Sequence, residues 1–485
     1  MLNFDLHCHP SIKSFMGNIN PKKRVNCWTY VDIFIDFQIL DSQSNLSQLK
    51  NGKVKLAVAG INGMERAFTR SLLFNTVLAG TTDKLDARFL RKIRQKKIGY
   101  NELMLQELAH LEKSKKVPGK GSFEFLNRIN DYKPNDRKLY LILCVEGGHN
   151  FYGKPGTGLQ RDKNTIIQNL KNFKSGNFPR LLYITLTHLT KTVLCTHAYG
   201  LKLINDKSFY PEGKGISATG RAFIKEALGD TNGKPVLIDI KHMSLESRLQ
   251  YYKLRDDKKI PKLPIIASHM GVTGVSYTKM PIISDYKIKK ECVAVDYQEP
   301  LGIGDTRFNP WSINLYDEDL KRIVASRGLI GVSLDQRILG FGDISTEYFS
   351  PQEMTRPKFN QYRDPNLIRY ESNRFSADNI KKAYSSRSSM GIYHLKYLCN
   401  NILHIIKVTG ERGWDHICIG ADNDGLINPI DYCENMQSYP KLRSGLLQML
   451  PAMARAAGIK APNIKGKVEN IMFGNAFNFL QKNFN

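Results

Sequence analysis

Two histidines separated by one residue stand at the end of the first short apolar run of the chain. His7 and His9 lie in the sequence Asp5-Leu6-His7-Cys8-His9-Pro10. In a β-strand the side chains of residues i and i+2 point to the same side, so both imidazoles could face one metal ion. A His-x-His pair is also common among ordinary surface and core histidines, and the rest of the chain must decide between the two interpretations.

Further histidines and acidic residues stand at the ends of other short apolar runs. They are Glu146, His188, His242, His269 and Asp422. Imidazole and carboxylate are ligands that Zn²⁺ and similar ions accept while keeping positions open for water. The carboxylate of Glu146 has two oxygens and could bridge two metals. Together these side chains favour a metal centre with one or two ions over the alternative that each residue is structural.

Other residues of the same types are expected to take no part in such a centre. The histidines predicted to be core or surface residues are His197, His394, His404 and His416. Asp239 and Asp424 are predicted only to cap or hydrogen-bond loops. A single histidine at a strand end is weak evidence, so the prediction of a metal centre rests on the joint pattern.

Eight short apolar runs are candidates for the strands that position these residues. Each run is almost continuously apolar, which is typical of strands buried on both faces. The runs are 4–7, 54–61, 139–145, 181–186, 235–240, 264–267, 329–334 and 417–420. Helical apolar spacing recurs between them, so the sequence predicts βαβ units and a parallel sheet. Eight parallel strands predict a TIM barrel with an outer ring of helices, whose active site lies where the carboxyl ends of the strands meet.

Seven segments have apolar residues at the helical period. They are 103–111, 166–173, 222–228, 249–254, 317–324, 393–406 and 442–457. Ser217 and Ser244 are predicted as N-caps of the third and fourth of these helices. The intervals between the runs are uneven, and we expect one domain, 1–485, with loop insertions near 62–138, 281–312 and 339–388.

The composition is that of a globular enzyme with a basic surface. Of the 485 residues 41% are hydrophobic, and no run is long enough to span a membrane. No signal peptide is recognised, so a cytoplasmic location is expected, and eight cysteines without a Cys-x-x-Cys pair are expected to be reduced. The net charge of +26 is interpreted as a solvated basic surface rather than a nucleic-acid interface, because no nucleic-acid-binding motif accompanies it.

The segments around these residues resemble the membrane (renal) dipeptidases of the amidohydrolase superfamily. The matching segments are Val145-Glu146-Gly147-Gly148-His149, Tyr183-Ile184-Thr185-Leu186-Thr187-His188, Ile238-Asp239-Ile240-Lys241-His242, Ile266-Ala267-Ser268-His269, Trp414-Asp415-His416-Ile417-Cys418-Ile419-Gly420-Ala421-Asp422-Asn423-Asp424-Gly425 and Ile471-Met472-Phe473-Gly474-Asn475. They occur in order along the whole chain. In combination, the Glu-Gly-Gly and Gly-x-Asp-x-Asp-Gly elements are fairly specific for this family.

The resemblance implies a TIM barrel with a binuclear zinc site. It implies that His7 and His9 hold one metal, that Glu146 bridges, and that His242 and His269 hold the other. It further implies that His188 contacts the substrate carbonyl. Asp422, also a ligand, would act on the bridging water and then on the leaving amine.

Two features of the chain depart from the family. The family usually has an acid where this chain has His9, which makes the site one charge unit more positive. The family also has an arginine after the sixth strand that grips the substrate carboxylate, and residues 271–280 contain none. Lys279 or Arg307 are candidates to replace it.

We therefore expect a hydrolase with two divalent metal ions, Zn²⁺ in the first instance, that cleaves a dipeptide or a similar small amide by attack of a metal-bridging hydroxide. One alternative is an amidohydrolase that acts on a lactone, an N-acyl amino acid or a phosphoester. Another is a non-catalytic barrel that binds an anionic partner. The expected partner is a small-molecule substrate, without membrane or nucleic acid; an oligomer is compatible with the sequence.

Overall fold

The computed structural model describes residues 1–17, 25–31, 41–70, 87–201, 206–282, 287–289, 291–342, 346–354 and 387–485. Most of the predicted insertion 339–388, and parts of the insertions 62–138 and 281–312, lie outside the described residues. The prediction of one domain over 1–485 stays a prediction.

The described residues form thirteen strands. In chain order they are β1 (Asn3–Cys8), β2 (Val54–Ile61), β3 (Lys116–Val117), β4 (Gly121–Phe125), β5 (Leu139–Val145), β6 (Leu181–Thr185), β7 (Leu237–Asp239), β8 (Ile266–Met270), β9 (Lys287–Lys289), β10 (Cys292–Asp296), β11 (Leu329–Val332), β12 (Thr346–Phe349) and β13 (Ile417–Ile419). Eight of them pair in parallel in the order β1-β2-β5-β6-β7-β8-β11-β13. These eight coincide with the eight predicted runs.

Hydrogen bonds between the last strand and the first nearly close the sheet into a barrel. The backbone N–H of Asp422 donates to the carbonyl of His7 at 2.8 Å, and that of His9 donates to Asn423 at 2.9 Å. Two candidate metal ligands of the first strand and one of the last are thus joined by backbone hydrogen bonds. The TIM-barrel prediction is confirmed.

Both faces of the barrel strands are buried, as the continuous apolar runs indicate. In β2, Leu56 and Val58 pack in one apolar cluster with Phe4, whereas Ala57 and Ala59 pack in another. Alternate residues of a strand point to opposite faces, so each face of β2 packs in its own cluster. A strand that is buried on both faces therefore lacks the alternation of apolar and polar residues that a half-exposed strand shows.

The described residues also form fourteen α-helices. In chain order they are α1 (Ile12–Met16), α2 (Leu46–Asn51), α3 (Ala87–Arg94), α4 (Tyr100–Lys113), α5 (Lys163–Asn172), α6 (Ala218–Leu228), α7 (Leu245–Asp256), α8 (Asp317–Ala325), α9 (Gln336–Leu339), α10 (Pro351–Met354), α11 (Arg387–Thr409), α12 (Tyr439–Ala456), α13 (Ile464–Glu469) and α14 (Asn475–Asn483). Both predicted N-caps are confirmed: the hydroxyl of Ser217 accepts from the N–H of Gly220, and that of Ser244 accepts from the N–H of Ser247.

Part of the predicted insertions is regular structure that the sequence analysis did not predict. β9, β10 and β12 form a small antiparallel sheet, and β3 and β4 form an antiparallel pair beside β5. The strand β10 packs through Val293 and Val295 with Tyr199 and Trp311. These strands are two to five residues long, too short for a periodic pattern to distinguish them from a loop.

None of the described helices combines the length and the apolarity that a membrane crossing requires. All eight cysteines are buried and free of disulfides, as predicted.

Candidate metal centre

The carboxylate of Glu146 lies at the centre of the histidines that the sequence analysis selected. Its Oε1 is 3.1 Å from Nε2 of His242 and 3.4 Å from Nε2 of His269. Its Oε2 is 3.2 Å from Nε2 of His9, and Oε1 is 3.5 Å from Nε2 of His7. One oxygen thus faces the histidines that follow β7 and end β8, and the other faces the second histidine of the His-x-His pair.

Asp422 completes this arrangement from the end of β13. Its Oδ1 is 3.8 Å from Nε2 of His7 and 3.6 Å from Nε2 of His9, and its Oδ2 is 3.7 Å from Nε2 of His269. The Asp422 side chain is 14% exposed, whereas that of Glu146 is 2% exposed. The cluster therefore opens towards solvent beside Asp422.

Local backbone conformation directs two of these side chains. Asp422 and His242 adopt φ values of +63° and +65°, in the left-handed region that residues other than glycine rarely occupy. Such strain persists only where the surrounding structure imposes it, and it often marks functional sites. Gly60 makes room on β2, because a Cβ there would lie 2.8 Å from the His9 ring and 3.4 Å from the His7 ring.

Hydrogen bonds behind three of the histidines orient their rings. Nδ1 of His7 is 2.7 Å from the hydroxyl of Tyr183, and Nδ1 of His9 is 3.1 Å from the carbonyl of Gly60. Nδ1 of His269 is 2.8 Å from the hydroxyl of Ser268. A partner on Nδ1 leaves Nε2 to face the cluster, which is the usual arrangement around a histidine that binds a metal.

The donor set fits divalent metal ions. Nε2 of His7 and Nε2 of His9 are only 3.1 Å apart, and both face carboxylate oxygens. Three groups of ligand atoms each lie within 4.8 Å of one another: His7 with His269 and Asp422, His7 with His9 and Glu146, and Glu146 with His188 and His242. A cation bound between these nitrogen and oxygen atoms would accept their lone pairs. Neutral imidazole together with carboxylate suits Zn²⁺ and similar divalent transition metals.

His188 lies at the edge of the cluster and has a partner that the sequence analysis missed. Its Nε2 is 3.6 Å from Oε2 of Glu146, and its Nδ1 is 2.7 Å from Oε1 of Glu65. Glu65 is buried and lies in the segment that follows β2. Glu65 stands four residues beyond the apolar run 54–61, and this position near a strand end is the sequence feature that could have identified it.

The described positions of the remaining candidates agree with the structural roles predicted for them. Nδ1 of His416 lies 2.7 Å from the carbonyl of Gly328, and Nε2 of His404 lies 2.8 Å from Asp317. The carboxylate of Asp424 accepts hydrogen bonds from the backbone N–H groups of residues 43 and 44, and that of Asp239 accepts from those of residues 241 and 268. His197 and His394 are buried outside the three groups of candidate ligand atoms.

Part of the sequence matches a known protein family. Residues 306–465 match the model of the membrane dipeptidases, peptidase family M19. This stretch contains β11 and β13 and includes Asp422. This part of the chain is similar to the membrane dipeptidases, and the match indicates a hydrolytic enzyme. No curated protein sequence matches the chain.

Three solved structures share the fold of this chain at low sequence identity. The dipeptidase AC, a metallopeptidase of family M19, is 14% identical over 100% of this chain and 99% of its own, with a TM-score of 0.52. A metallopeptidase from Rhodobacter sphaeroides, liganded with a phosphinate mimic of L-Ala-D-Ala, is 15% identical over 100% and 99%, with a TM-score of 0.51. The probable dipeptidase PvdM from Pseudomonas aeruginosa is 15% identical over 100% and 96%, with a TM-score of 0.51.

The electrostatics of the centre favour metal binding by His242 and His269. Burial lowers the pKa of His242 to about 3, and burial together with the charge of His7 lowers the pKa of His269. Both rings are therefore neutral at physiological pH, the form that ligates metals. Burial opposes ionisation of Glu146, but the charges of His188 and His7 outweigh it and hold the pKa of its carboxyl well below the ordinary value.

Asp422 and His188 have pKa values shifted upwards. Burial, reinforced by the charge of Glu146, raises the pKa of Asp422. Burial alone would lower the pKa of His188, but the charges of Glu65 and Glu146 outweigh it and raise the value to about 9. A carboxyl that can take up a proton and an imidazole that keeps one thus lie on the open side of the cluster.

Lys279 and Arg307, the candidates from the sequence, differ in their surroundings from Lys241 and Arg337. Lys279 is exposed, and Nε of Arg307 lies 3.8 Å from Glu299. Lys241, by contrast, is buried at the end of β7, beside His242. Arg337 follows β11 and pairs with Asp335 at 2.6 Å.

Proposed function

We propose that this chain is a metal-dependent hydrolase that cleaves a dipeptide or a similar small amide. The observation that supports it most is the Glu146 carboxylate, whose two oxygens face different histidines at 3.1 to 3.5 Å. A carboxylate so placed is suited to bridge two cations. The similarity to peptidase family M19 supports amide hydrolysis as the reaction.

We propose the ligand assignment that the family resemblance implies. His7 and His9 would hold one metal, Glu146 would bridge, and His242 and His269 would hold the other. Asp422, within 3.8 Å of the first pair and of His269, would be a further ligand. Two divalent ions, Zn²⁺ in the first instance, fit four imidazoles and two carboxylates.

The bound metals would supply water activation near neutral pH and polarisation of the scissile carbonyl. The protein itself would move the protons. Asp422, with its raised pKa, can accept a proton from the attacking water and return it to the leaving amine. This role requires a carboxyl group that is partly open to the substrate, and Asp422 has the most exposed side chain of the assigned ligands.

His188 would stabilise the negative charge that develops on the carbonyl oxygen. With Nδ1 engaged by Glu65, its Nε2 points towards Glu146, at 3.6 Å. An imidazolium N–H in this position is a fixed donor in a site that excludes most water, where such a hydrogen bond contributes more than it does in solution.

Metal analysis and a substrate panel together test the proposal. The purified protein, loaded under metal-replete conditions, should contain about two equivalents of a transition metal. Glu146→Gln and His269→Ala should lose both metal and activity, whereas His416→Gln, outside the centre, should lose neither. A protein that binds no metal would disprove the proposal.

The substrate panel separates the classes of amidohydrolase. Dipeptides, lactones, N-acyl amino acids and phosphoesters should be assayed with the same metal-loaded enzyme. We expect turnover of dipeptides. Turnover of lactones or phosphoesters without any dipeptide would retain the metal centre and reject the dipeptidase assignment.

A further inference from the structure

A basic cavity lies at the end of the barrel opposite the candidate metal centre. It is lined by Ile265, Gly328 and His416, which immediately precede β8, β11 and β13. The candidate metal ligands lie at or just beyond the carboxyl ends of the strands. A strand of five residues, such as β8, separates its two ends by about 13 Å. The cavity is therefore a different site from the metal centre.

Three helices and the loops between them also line this cavity. The last turns of α7, α8 and α14 contribute Arg255, Arg322 and Lys482, and the loops contribute Lys262 and Arg327. The cavity has a volume of about 1060 Å³. This volume is at the upper end of the range for sites that bind small molecules, so the cavity has room for a ligand much larger than a single inorganic ion.

The cations of the cavity outnumber its carboxylates. Arg322 is paired, because its Nη1 lies 3.0 Å from Oδ2 of Asp256. Asp415 is the other acidic residue of the lining. Within the part of the chain that the structure describes, the lining cations without a carboxylate partner are Arg255, Lys262, Arg327 and Lys482. The cavity therefore carries an excess of positive charge that the described residues do not neutralise.

Arg255 distinguishes this cavity from an ordinary solvated basic surface. The residue is only 7% exposed. Its described side-chain contacts are with Tyr251: Nη1 lies 3.5 Å from the hydroxyl, and the guanidinium carbon lies 5.7 Å from the ring centre. A guanidinium has five N–H donors, and burial of a charged group without an opposite charge is costly. Exposed lysines are neutralised by solvent, whereas a buried arginine at a cavity wall favours an anion inside the cavity.

We propose that this cavity binds a small molecule that carries a chain of two or more phosphate groups. Arginine presents a planar set of donors that matches phosphate oxygens in pairs, and lysine adds a compact charge. An excess of several positive charges suits an oligophosphate better than it suits a single phosphate or carboxylate. Asn470 and Asn478 also line the cavity, and their amide groups offer donors and acceptors to a polar remainder such as a nucleoside. This site does not depend on the proposed hydrolysis.

Isothermal titration calorimetry of the whole 485-residue chain tests the site with defined probes. ATP, tripolyphosphate, AMP and inorganic phosphate are titrated separately. Excess Mg²⁺ is present throughout, so that binding of the probes to divalent ions is the same in every titration. ATP and tripolyphosphate carry the same chain of phosphate groups, and only ATP carries a nucleoside.

The variants separate the cavity from the rest of the basic surface. Arg327→Gln/Lys482→Gln removes two exposed charges of the cavity, and Lys225→Gln/Lys460→Gln is the matched control that removes two exposed charges elsewhere. Arg255→Gln removes the buried charge, and circular dichroism checks its fold. If Arg255→Gln does not fold, the exposed double variant decides. Glu146→Gln is titrated as well, because it alters the metal centre and leaves the cavity intact.

ATP and tripolyphosphate should each bind at least about tenfold more tightly than AMP and inorganic phosphate, because a chain of phosphates forms more charged hydrogen bonds. Arg327→Gln/Lys482→Gln and folded Arg255→Gln should each weaken this binding by at least about tenfold, the smallest usual effect of losing a hydrogen bond to a charged group. The control and Glu146→Gln should bind within about twofold of wild type. Equal affinities for ATP and tripolyphosphate would show recognition of the phosphate chain alone, and tighter binding of ATP would show that the nucleoside is bound too.

Several results would overturn the inference. A wild type that binds neither ATP nor tripolyphosphate has no such site, and a folded Arg255→Gln with wild-type affinity would remove its main support. Equal weakening in Lys225→Gln/Lys460→Gln would show a diffuse basic surface, and loss of binding in Glu146→Gln would place the ligand at the metal centre. Binding of single-stranded RNA that Arg327→Gln/Lys482→Gln abolishes, without binding of either oligophosphate, would identify a nucleic-acid surface instead.

Discussion

Oε1 of Glu65 lies 2.7 Å from Nδ1 of His188, and both side chains are buried beside the candidate metal centre. The pairing holds the imidazole so that its other nitrogen faces Glu146. It also lowers the pKa of Glu65 to about 2, because the charge of His188 outweighs the opposing effect of burial. Glu65 is therefore ionised throughout the physiological range and acts through His188 rather than on the substrate.

Substitution of Glu65 should reduce kcat without removing metal. In Glu65→Ala the ring of His188 loses its orienting partner, and we expect kcat to fall by about 100-fold. This is the usual loss of rate when an acid–base or oxyanion-stabilising group is misplaced. In Glu65→Gln the side-chain oxygen still accepts from Nδ1–H, so the loss should be smaller. Steady-state kinetics and metal analysis of both variants measure these effects.

The pH dependence of Glu65→Gln separates orientation from charge. The negative charge of Glu65 raises the pKa of His188, so its removal lowers that pKa and deprotonates the ring at a lower pH. The activity of Glu65→Gln relative to wild type should therefore be worse at about pH 8 than at about pH 6. A loss of metal in Glu65→Ala, or an effect confined to KM, would contradict the positioning role.

Removal of metal should destabilise the folded protein. The assigned ligands come from the ends of five different strands. A metal that binds only the folded state adds stability in proportion to the logarithm of one plus the ratio of its free concentration to Kd. At a free concentration of about 1,000 times Kd the gain is about 4 kcal/mol per site. Thermal denaturation of the wild type before and after chelation measures it, and Glu146→Gln should show a much smaller difference between the two conditions.

Replacement of His9 by aspartate should change metal preference more than activity. Nε2 of His9 lies 3.1 Å from Nε2 of His7, so two nitrogen donors face the same point. A carboxylate is a harder ligand, and His9→Asp should shift the competition between Zn²⁺ and Mn²⁺ towards Mn²⁺ while two metals remain bound. His9→Ala should lose about one equivalent. Retention of both metals by His9→Ala would show that His9 is not a ligand.

The barrel could be predicted from the sequence because burial on both faces gives each strand a continuous apolar run. The runs 54–61 and 139–145 coincide with β2 and β5 residue for residue. Boundaries were less certain: β8 begins at Ile266 and includes His269, whereas the predicted run was 264–267. Pro264 has no N–H to donate, and the N–H of Ile265 donates to the hydroxyl of Ser326 rather than to a neighbouring strand, so β8 starts later.

The histidines and acids of the centre could be predicted for a related reason. His7, Glu146 and Asp422 each lie at the carboxyl end of an apolar run, and the barrel brings these ends together. Glu65 and Lys241 could not be found in this way. Glu65 lies in a loop, and its partner is 123 residues away. A lysine after a strand is ordinarily a solvated residue, and nothing in the local sequence indicates that Lys241 is buried.

Acid should destabilise the protein through a histidine outside the centre. His197 is fully buried, its Nε2–H donates to the carbonyl of Phe209 at 3.2 Å, and its Nδ1 has no partner among the described residues. Burial lowers its pKa in the folded protein from 6.5 to about 4. The contribution of neutral His197 to stability is therefore fully present above about pH 6.5 and is lost as the pH falls towards 4, because only the unfolded state gains the proton in that window.

His197→Gln should reduce this pH dependence, because glutamine can keep a donor near Phe209 but does not titrate. The variant should be less stable than wild type near neutral pH. As the pH falls from about 7.5 to about 4.5, its free energy of unfolding should rise by about 3 kcal/mol relative to that of wild type. Denaturant unfolding of wild type and His197→Gln at both pH values measures how the difference in their free energies of unfolding changes with pH. Effects of acid on the metal centre cancel in this comparison, because both proteins contain the same centre. His416→Gln is the matched control, and an equal pH response in wild type and His197→Gln would show that His197 does not titrate in this range.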